Sequence, residues 1–247
     1  GVQVLRRAID ARDGLRFVYT AAVTVKDEAR LLKRCRDRHV FPYVPEAYTL
    51  PPFVSAADTP PVVVGMGPAG LFGALVLARC GAKPILLERG QCVERRQTDV
   101  QRFWQKGLLD TESNVQFGEG GAGAFSDGKL NTGTKDVRHR FILEELVRCG
   151  APDSILWDAK PHVGTDMLHI ALQNLRKELL ALGADIRFGH RLVGITTEQG
   201  RLTALTVQGQ QGLYTLPCRQ AMLALGHSAR DTVEMLHHAG VAMTAKP

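Results

Sequence analysis

Residues 62–70 read VVVGMGPAG. The three valines form a short apolar run of the kind found in buried strands. Gly65 permits a tight turn out of that strand, Gly67 lets the backbone approach a pyrophosphate, and Gly70 lets the next helix pack close to the sheet. The start of that helix directs free N–H groups at the phosphates. The stretch therefore predicts the nucleotide-binding turn of a Rossmann-like α/β domain.

An acidic residue completes this pattern. A second apolar segment at residues 84–87 is followed by Glu88, at the place where the acid of a dinucleotide site accepts hydrogen bonds from ribose hydroxyls. A glycine turn used only for packing has no need of an acid there. The order of strand, glycines, helix, strand and acid thus indicates a nucleotide site rather than a purely structural turn.

The elements after Glu88 favour FAD over NAD as the nucleotide. We expect helices near residues 97–104, 138–149 and 167–182, strands at 185–188, 192–197 and 202–207, and a strand pair at 213–216 and 220–225. An NAD-dependent dehydrogenase would continue with further βαβ units. The meander of short strands instead resembles the FAD domain of the glutathione-reductase type. In that resemblance Leu192 lies where the chain passes the adenine, and Gly226 closes the strand that such proteins end in Ala-Thr-Gly.

A second glycine-rich segment, GEGGAGAFSDGKL, occupies residues 118–130. So many glycines disfavour rigid secondary structure and allow the backbone to lie against a flat ring or a phosphate. A flexible linker is the alternative interpretation, but Phe125, Asp127 and Lys129 add chemistry that linkers rarely carry. We therefore expect this loop to be the partner of the turn at residues 65–70.

This loop and a later segment, GHSARDT at residues 226–232, resemble the uncharacterised FAD-dependent dehydrogenase family of bacteria. The resemblance covers the whole chain and implies a bound FAD and an oxidoreductase that transfers a hydride or electrons to or from an unidentified small-molecule substrate. NAD(P)H is the candidate reductant. Family members continue past the position of Pro247 into a cap region and a last strand that contacts the flavin. The resemblance therefore implies a fragment with an incomplete flavin pocket, which we expect to bind FAD weakly or not at all.

The chain divides into two units in this interpretation. Residues 1–55 are expected to form a small α/β unit with a strand at 15–25, a helix at 26–38 and a proline-rich linker. The boundary falls near residues 54–59, where the composition changes to that of a buried strand. Residues 56–247 are expected to form the FAD-binding domain, without its last strand and cap region.

Candidate site residues come from the turn, the acid, the loop and the last two strands. Lys129, with Asp127, is a candidate for contact with the flavin edge or a substrate, and the alternative is a solvated lysine beside a turn-stabilising carboxylate. His227 can act as an acid or base near neutral pH, with Ser228 or Arg230 holding an anion. The alternative there is that Ser228 caps the next helix while Arg230 pairs with Asp231. The predicted cofactor-binding residues are Gly65, Gly67, Pro68, Ala69, Gly70, Glu88, Arg89, Gly120, Gly121, Ala122, Gly123, Ser126, Asp127, Leu192 and Gly226.

Composition narrows the remaining functions. The five cysteines contain no C-x-x-C pair, which argues against a metal site or a disulfide reductase and favours a reduced, cytoplasmic protein. The apolar runs are too short and too polar for a membrane span. The oligomeric state is open. Net charge is +6. The alternative function is a flavoprotein that modifies or binds RNA through a basic cluster of Lys33, Arg34, Arg36 and Arg38 on the helix expected at 26–38, beside Arg6 and Arg7. The sequence shows no aromatic platform on which RNA bases could stack.

Overall fold

A computed structural model describes residues 1–52, 58–126, 128–130 and 136–245. The chain begins with an antiparallel hairpin of β1 (Val2–Asp10) and β2 (Arg16–Val23), followed by the short helix α1 (Glu28–Arg34). Strand β1 is not predicted from the sequence, because its central Arg-Arg pair interrupts the apolar alternation. The helix expected at 26–38 is shorter than predicted, because the chain is already extended at Cys35. Most of the expected domain boundary at 54–59 lies outside the described residues.

Among the described residues, four parallel strands form the central sheet, and helices connect the first three of them in chain order. The elements are β3 (Val62–Val64), α2 (Pro68–Arg79), β4 (Ile85–Glu88), α3 (Val93–Lys106), α4 (Val137–Arg148), α5 (Thr165–Ala181), β5 (Asp185–Phe188) and β9 (Ala221–Leu223), with α6 (Arg230–His238) after the last strand. The order across the sheet is β5-β4-β3-β9. This order corresponds to the 3-2-1-4 arrangement of a Rossmann-type sheet.

A three-stranded antiparallel meander is inserted between β5 and β9. It consists of β6 (Arg191–Glu198), β7 (Arg201–Gly209) and β8 (Gly212–Pro217), and Gln199 and Gly200 form the tight first turn with positive φ angles. The expected strand pair at 213–216 and 220–225 is wrong, because β8 pairs with β7 whereas β9 joins the parallel sheet beside β3. The predicted Rossmann-like α/β fold with a β-meander is confirmed.

The sheet is covered on both faces, which explains why β3 is apolar at every position. Side chains of successive strand residues point to opposite faces. Val63 packs in a core with α2 and α5, whereas Val62 and Val64 pack in a second core with residues of the meander such as Leu205. All three valines are buried. Helices on one face and the meander on the other therefore fix the position at which the chain leaves β3.

No helix within the described ranges has both the length and the apolar character required to cross a membrane.

Candidate functional site

A cleft lies beyond the carboxyl end of β3, where the connections leave the sheet in opposite directions. From β3 the chain proceeds to β4 on one side, and β9 pairs with β3 on the other. Ligands of open α/β sheets bind at such a switch point. The cleft has a volume of about 210 Å³, and its walls include the turn after β3, the end of β4, the glycine-rich loop, the start of β6 and residues 224–229.

The turn after β3 requires glycine at two positions for reasons internal to the protein. Gly65 has a φ of +100°, and a Cβ atom there would lie 2.3 Å from the carbonyl oxygen of Ala224. A Cβ atom on Gly70 would lie 1.8 Å from the carbonyl oxygen of Gly65. These two glycines let the turn, the helix and the β9 segment approach one another.

Gly67 differs from its neighbours because the protein itself leaves room for a side chain there. Its φ of −69° and ψ of −179° suit any residue, and the nearest atom to an added Cβ would be the Cα of Gly121 at 3.9 Å. Gly67 precedes the first turn of α2, and the N–H groups of a first helical turn have no partner within the helix. The cleft wall at Gly67 therefore combines unoccupied space with free backbone N–H donors of the first turn of α2.

Glu88 ends β4 with a buried carboxylate that accepts three backbone hydrogen bonds. Its Oε1 accepts from the N–H groups of Gly90 at 2.9 Å and Gly118 at 3.0 Å, and its Oε2 accepts from Met66 at 2.7 Å. A carboxylate has about four acceptor positions in total, so one remains on Oε2. The visible role of Glu88 is to hold the turn after β3 against the glycine-rich loop, and contact with a ribose stays a prediction.

The glycine-rich loop lies directly against the turn. Gly121 has φ 62° and ψ −163°, a conformation open essentially to glycine alone, and a Cβ atom there would lie 3.1 Å from the Cα of Gly67. The N–H of Gly120 donates to the carbonyl of Met66 at 2.8 Å. The expectation of an irregular loop is wrong in part, because residues Ala122–Phe125 form one turn of 3₁₀ helix.

The predicted cofactor-binding residues divide by their place in the structure. Those on the cleft wall are Gly65, Gly67, Pro68, Glu88, Arg89, Gly121, Ala122, Leu192 and Gly226. The others among the described residues do not line the cleft. Gly70 and Gly120 are buried, with Gly120 packed beside Leu172, whereas Ala69, Gly123 and Ser126 are exposed, and the Ser126 hydroxyl donates to the Gly123 carbonyl.

The two candidates for chemistry also separate. His227 lines the cleft, whereas Lys129 lies away from it in a β-bridge with His162. Asp127 lies outside the described residues.

An ion-pair network at the cleft rim replaces one expected pair. Asp231 pairs with Arg89 at 3.0 Å and Arg191 at 3.3 Å, and both arginines also pair with Glu112. The alternative pairing of Arg230 with Asp231 is therefore wrong. Burial opposes ionisation of Asp231, but the hydrogen bonds from Arg89 hold the pKa of this carboxyl below its ordinary value.

The expected cap of α6 by Ser228 is also wrong. The residue at the cap position is Ala229, and Ser228 contributes only its backbone carbonyl, which accepts from the N–H of Arg230 at 2.9 Å. The segment after β9 turns back over the cleft, so that Ser228 lines its wall. Ser228 therefore belongs to the cleft wall rather than to the cap of the helix.

Sequence reasoning missed several residues at or behind the cleft. Phe117 lines it and carries the Arg89 guanidinium 4.0 Å from its ring centroid. Behind the wall, Arg96 and Glu119 are completely buried charged residues. Burial raises the pKa of Glu119 to about 7, although its Oε2 accepts from Arg176 at 2.7 Å. The sequence signal for Glu119 is its position between Gly118 and Gly120, since a lone charged residue within a glycine run is unusual.

The basic residues of the N-terminal unit do not form one helical face. Because α1 ends at Arg34, Arg36 and Arg38 lie beyond the helix. Arg7 pairs with Asp158 at 2.8 Å and stacks on Trp157. The expectation of one basic cluster on a helix at 26–38 is therefore wrong.

Among the residues that the structure describes, no group of three or more histidines, cysteines or acids is placed to hold a metal ion.

Comparison with known proteins gives one sequence relative. No protein-family model matches the chain. A protein of Clostridium beijerinckii, described as an uncharacterized protein, is 44% identical over 248 residues, which cover 99% of this chain and 46% of that protein. The chain thus spans about half the length of the curated relative that it matches.

The fold is similar to that of several solved structures. Thermovibrio ammonificans THI4 matches at 17% identity over 74% of this chain and 64% of its own, with a TM-score of 0.48. A 3-ketosteroid-Δ4-(5α)-dehydrogenase from Rhodococcus jostii matches at 17% identity over 72% and 47%, with a TM-score of 0.44. A flavocytochrome c3 fumarate reductase matches at 18% identity over 74% and 36%, with a TM-score of 0.42.

Proposed function

We propose that this chain binds FAD in the cleft and is the cofactor-binding part of a flavin-dependent oxidoreductase. One observation carries the proposal: the glycine turn, the acid of β4 and the glycine-rich loop meet at the switch point of a Rossmann-type sheet. We also propose membership of the FAD-dependent dehydrogenase family, which the segments at 119–130 and 226–232 support.

The residues on the cleft wall fit the parts of a dinucleotide. Gly67 offers open space beside the first turn of α2, which suits a pyrophosphate. Glu88 retains one acceptor position for a ribose hydroxyl. Leu192, at the start of the meander, borders the cleft at the place proposed for the adenine. The glycine turn and the acid are the features that hold the ADP portion of a dinucleotide in this type of sheet.

The meander supports FAD rather than NAD. An NAD-dependent domain extends its sheet with βαβ units, whereas this chain inserts β6, β7 and β8 before it returns to β9.

Bound flavin supplies the hydride or electron transfer, and the protein supplies position and electrostatics. The proposed acid–base residue is His227, which lines the cleft together with His190. NAD(P)H is the proposed reductant.

Direct titration of the 247-residue chain with FAD tests the proposal. We expect quenching of flavin fluorescence at one FAD per chain, competition by ADP, and weaker binding of FMN, which lacks the adenosine portion. Because the family resemblance implies weak binding by this chain, the titration extends to about 1 mM FAD, and a lack of binding at that concentration would exclude the site.

A single substitution separates binding from folding. Alanine at Gly67 meets no atom closer than 3.9 Å in the protein and occupies the space assigned to the pyrophosphate. We expect Gly67→Ala to change the free energy of unfolding by at most about 1 kcal/mol, the scale of a helix-cap change, yet to weaken FAD binding strongly. Gly123→Ala is the matched control, because Gly123 also has open space but does not line the cleft. Equal FAD affinity of the two variants would refute the assignment.

A further inference from the structure

Arg96 is a completely buried arginine between α3 and the glycine-rich loop. Its guanidinium donates to four backbone carbonyls of one segment, and all four donor–acceptor distances are between 2.7 and 2.8 Å. The planar face of the guanidinium lies 4.7 Å from the centroid of the Phe125 ring. The accepting carbonyls belong to Asn114, Val115, Glu119 and Gly121.

This arrangement differs from a surface salt bridge. Burying a charge is costly unless hydrogen bonds and opposite charges compensate for it. Burial lowers the pKa of Arg96 to about 10, and the nearby Glu88 and Glu119 favour its charged form, so the guanidinium is protonated at neutral pH. Within the described residues, Arg96 makes no hydrogen bond to a carboxylate, and its donors serve the loop backbone.

Arg96 determines where both sides of the loop lie. Its Cδ atom would be only 2.4 Å from a Cβ atom on Gly118, and the N–H of Gly118 donates to Glu88 on the cleft wall. At the other side, the Gly121 carbonyl points to Arg96. Because a trans peptide holds its C=O and N–H in opposite directions, the N–H of Ala122 faces away from Arg96, and Ala122 lines the cleft.

We propose that Arg96 is a positioning residue that keeps the glycine-rich loop preformed against the nucleotide turn. The inference rests on the proposed function, since it assigns the preformed loop to FAD binding. A loop that is already ordered loses little conformational freedom when the ligand binds, which raises affinity. Arg96 itself lies behind the wall and acts through the backbone of residues 114–121.

Arg96→Lys tests the role of the guanidinium fork. Lysine keeps the charge but has one compact ammonium group that cannot reproduce the fork across four carbonyls. We expect FAD affinity to fall about 10- to 100-fold, which corresponds to a loop that holds its binding-competent position only about 10% to 1% of the time. Arg95→Lys is the matched control, because Arg95 is its exposed neighbour on α3. Equal affinity of the two variants, with wild type binding FAD, would overturn the inference.

Chemical rescue distinguishes positioning from general destabilisation. For Arg96→Ala, we expect low millimolar guanidinium to restore part of the FAD affinity, whereas sodium at equal ionic strength does not. A variant that loses only thermal stability and keeps the wild-type dissociation constant would show a merely structural role and refute positioning.

A measurement on the wild-type chain covers the case in which the variants do not fold. Hydrogen exchange of the amides at 118–121, each of which donates to an acceptor within the protein, should be slow before FAD is added and change little afterwards. Protection that appears only with FAD would mean that the loop is not preformed, and would overturn the inference. Failure of wild type to bind FAD at all would instead overturn the proposed function, whatever the exchange rates.

Discussion

Alanine at Gly121 should destabilise the fold and weaken FAD binding together. Gly121 has φ 62° and ψ −163°, and an alanine held there is strained by about 1–3 kcal/mol. The added Cβ would also lie 3.1 Å from the Cα of Gly67, which is closer than most real contacts. The loop must therefore move away from the turn by a few tenths of an ångström or change its backbone conformation.

The expected size of the effect follows from this strain. For a chain of this length, 1 kcal/mol corresponds to about 2–4 °C in melting temperature, so Gly121→Ala should lower it by roughly 2–12 °C. If 1.4 kcal/mol of the strain can be relieved only in the ligand-free loop, FAD binding weakens about tenfold. Circular dichroism gives the melting temperature, and flavin fluorescence gives the dissociation constant.

Gly123 supplies the control within the same loop. It has no positive φ, and an added Cβ would have no atom within 4 Å, so Gly123→Ala should change stability by no more than about 0.5 kcal/mol. Equal melting temperatures and FAD affinities for the two alanine variants would refute the reasoning. That result would mean that the loop adapts without cost and that its contact with Gly67 is unimportant.

Three further substitutions test the buried and rim charges. Glu88→Gln should unfold more easily by about 1.5–3 kcal/mol in urea, because one oxygen that accepts an N–H becomes a donor. Glu119, with its raised pKa, contributes stability that is complete below pH ~4.5 and lost as the pH rises through about 7; Glu119→Gln should flatten this decline between pH 5 and 8. Asp231→Asn should cost less than about 1 kcal/mol, since its side chain is half exposed, and a larger thermal shift would contradict this estimate.

Local signals predicted the elements around the turn well. Residues within about twenty positions determine the apolar run of β3, the spacing of the glycines and the length of α2. A short stretch of sequence is therefore enough to predict these elements. The meander was also predicted, because each short strand has its own turn. The prediction that the strands at 213–216 and 220–225 pair with each other was wrong, because the partner of a strand is chosen by residues far away in the sequence. The first strand was missed because the charged pair Arg6-Arg7 lies within it.

The site was harder to predict than the fold because its contacts are long-range. Arg96 belongs to a segment, VERRQTDVQR, that has the polar character of a solvent-facing helix. It is buried only because the loop of residues 114–121 wraps over it, and no local pattern contains that information. In the same way, the spacing of Glu88 indicated a ribose contact, whereas its bond to Gly118 joins residues thirty positions apart.

These contacts couple recognition of the nucleotide to the shape of the cleft. One carboxylate, Glu88, holds the N–H groups of Met66 and Gly118, which belong to the turn and the loop respectively. A change at Glu88 therefore moves both walls at once, and a loss of FAD binding there would not identify a ribose contact. Gly67 has no such double role, because its neighbours tolerate a Cβ atom. A loss of FAD affinity in Gly67→Ala without a loss of stability would therefore locate the ligand, whereas the Glu88 variant measures how firmly the two walls are joined.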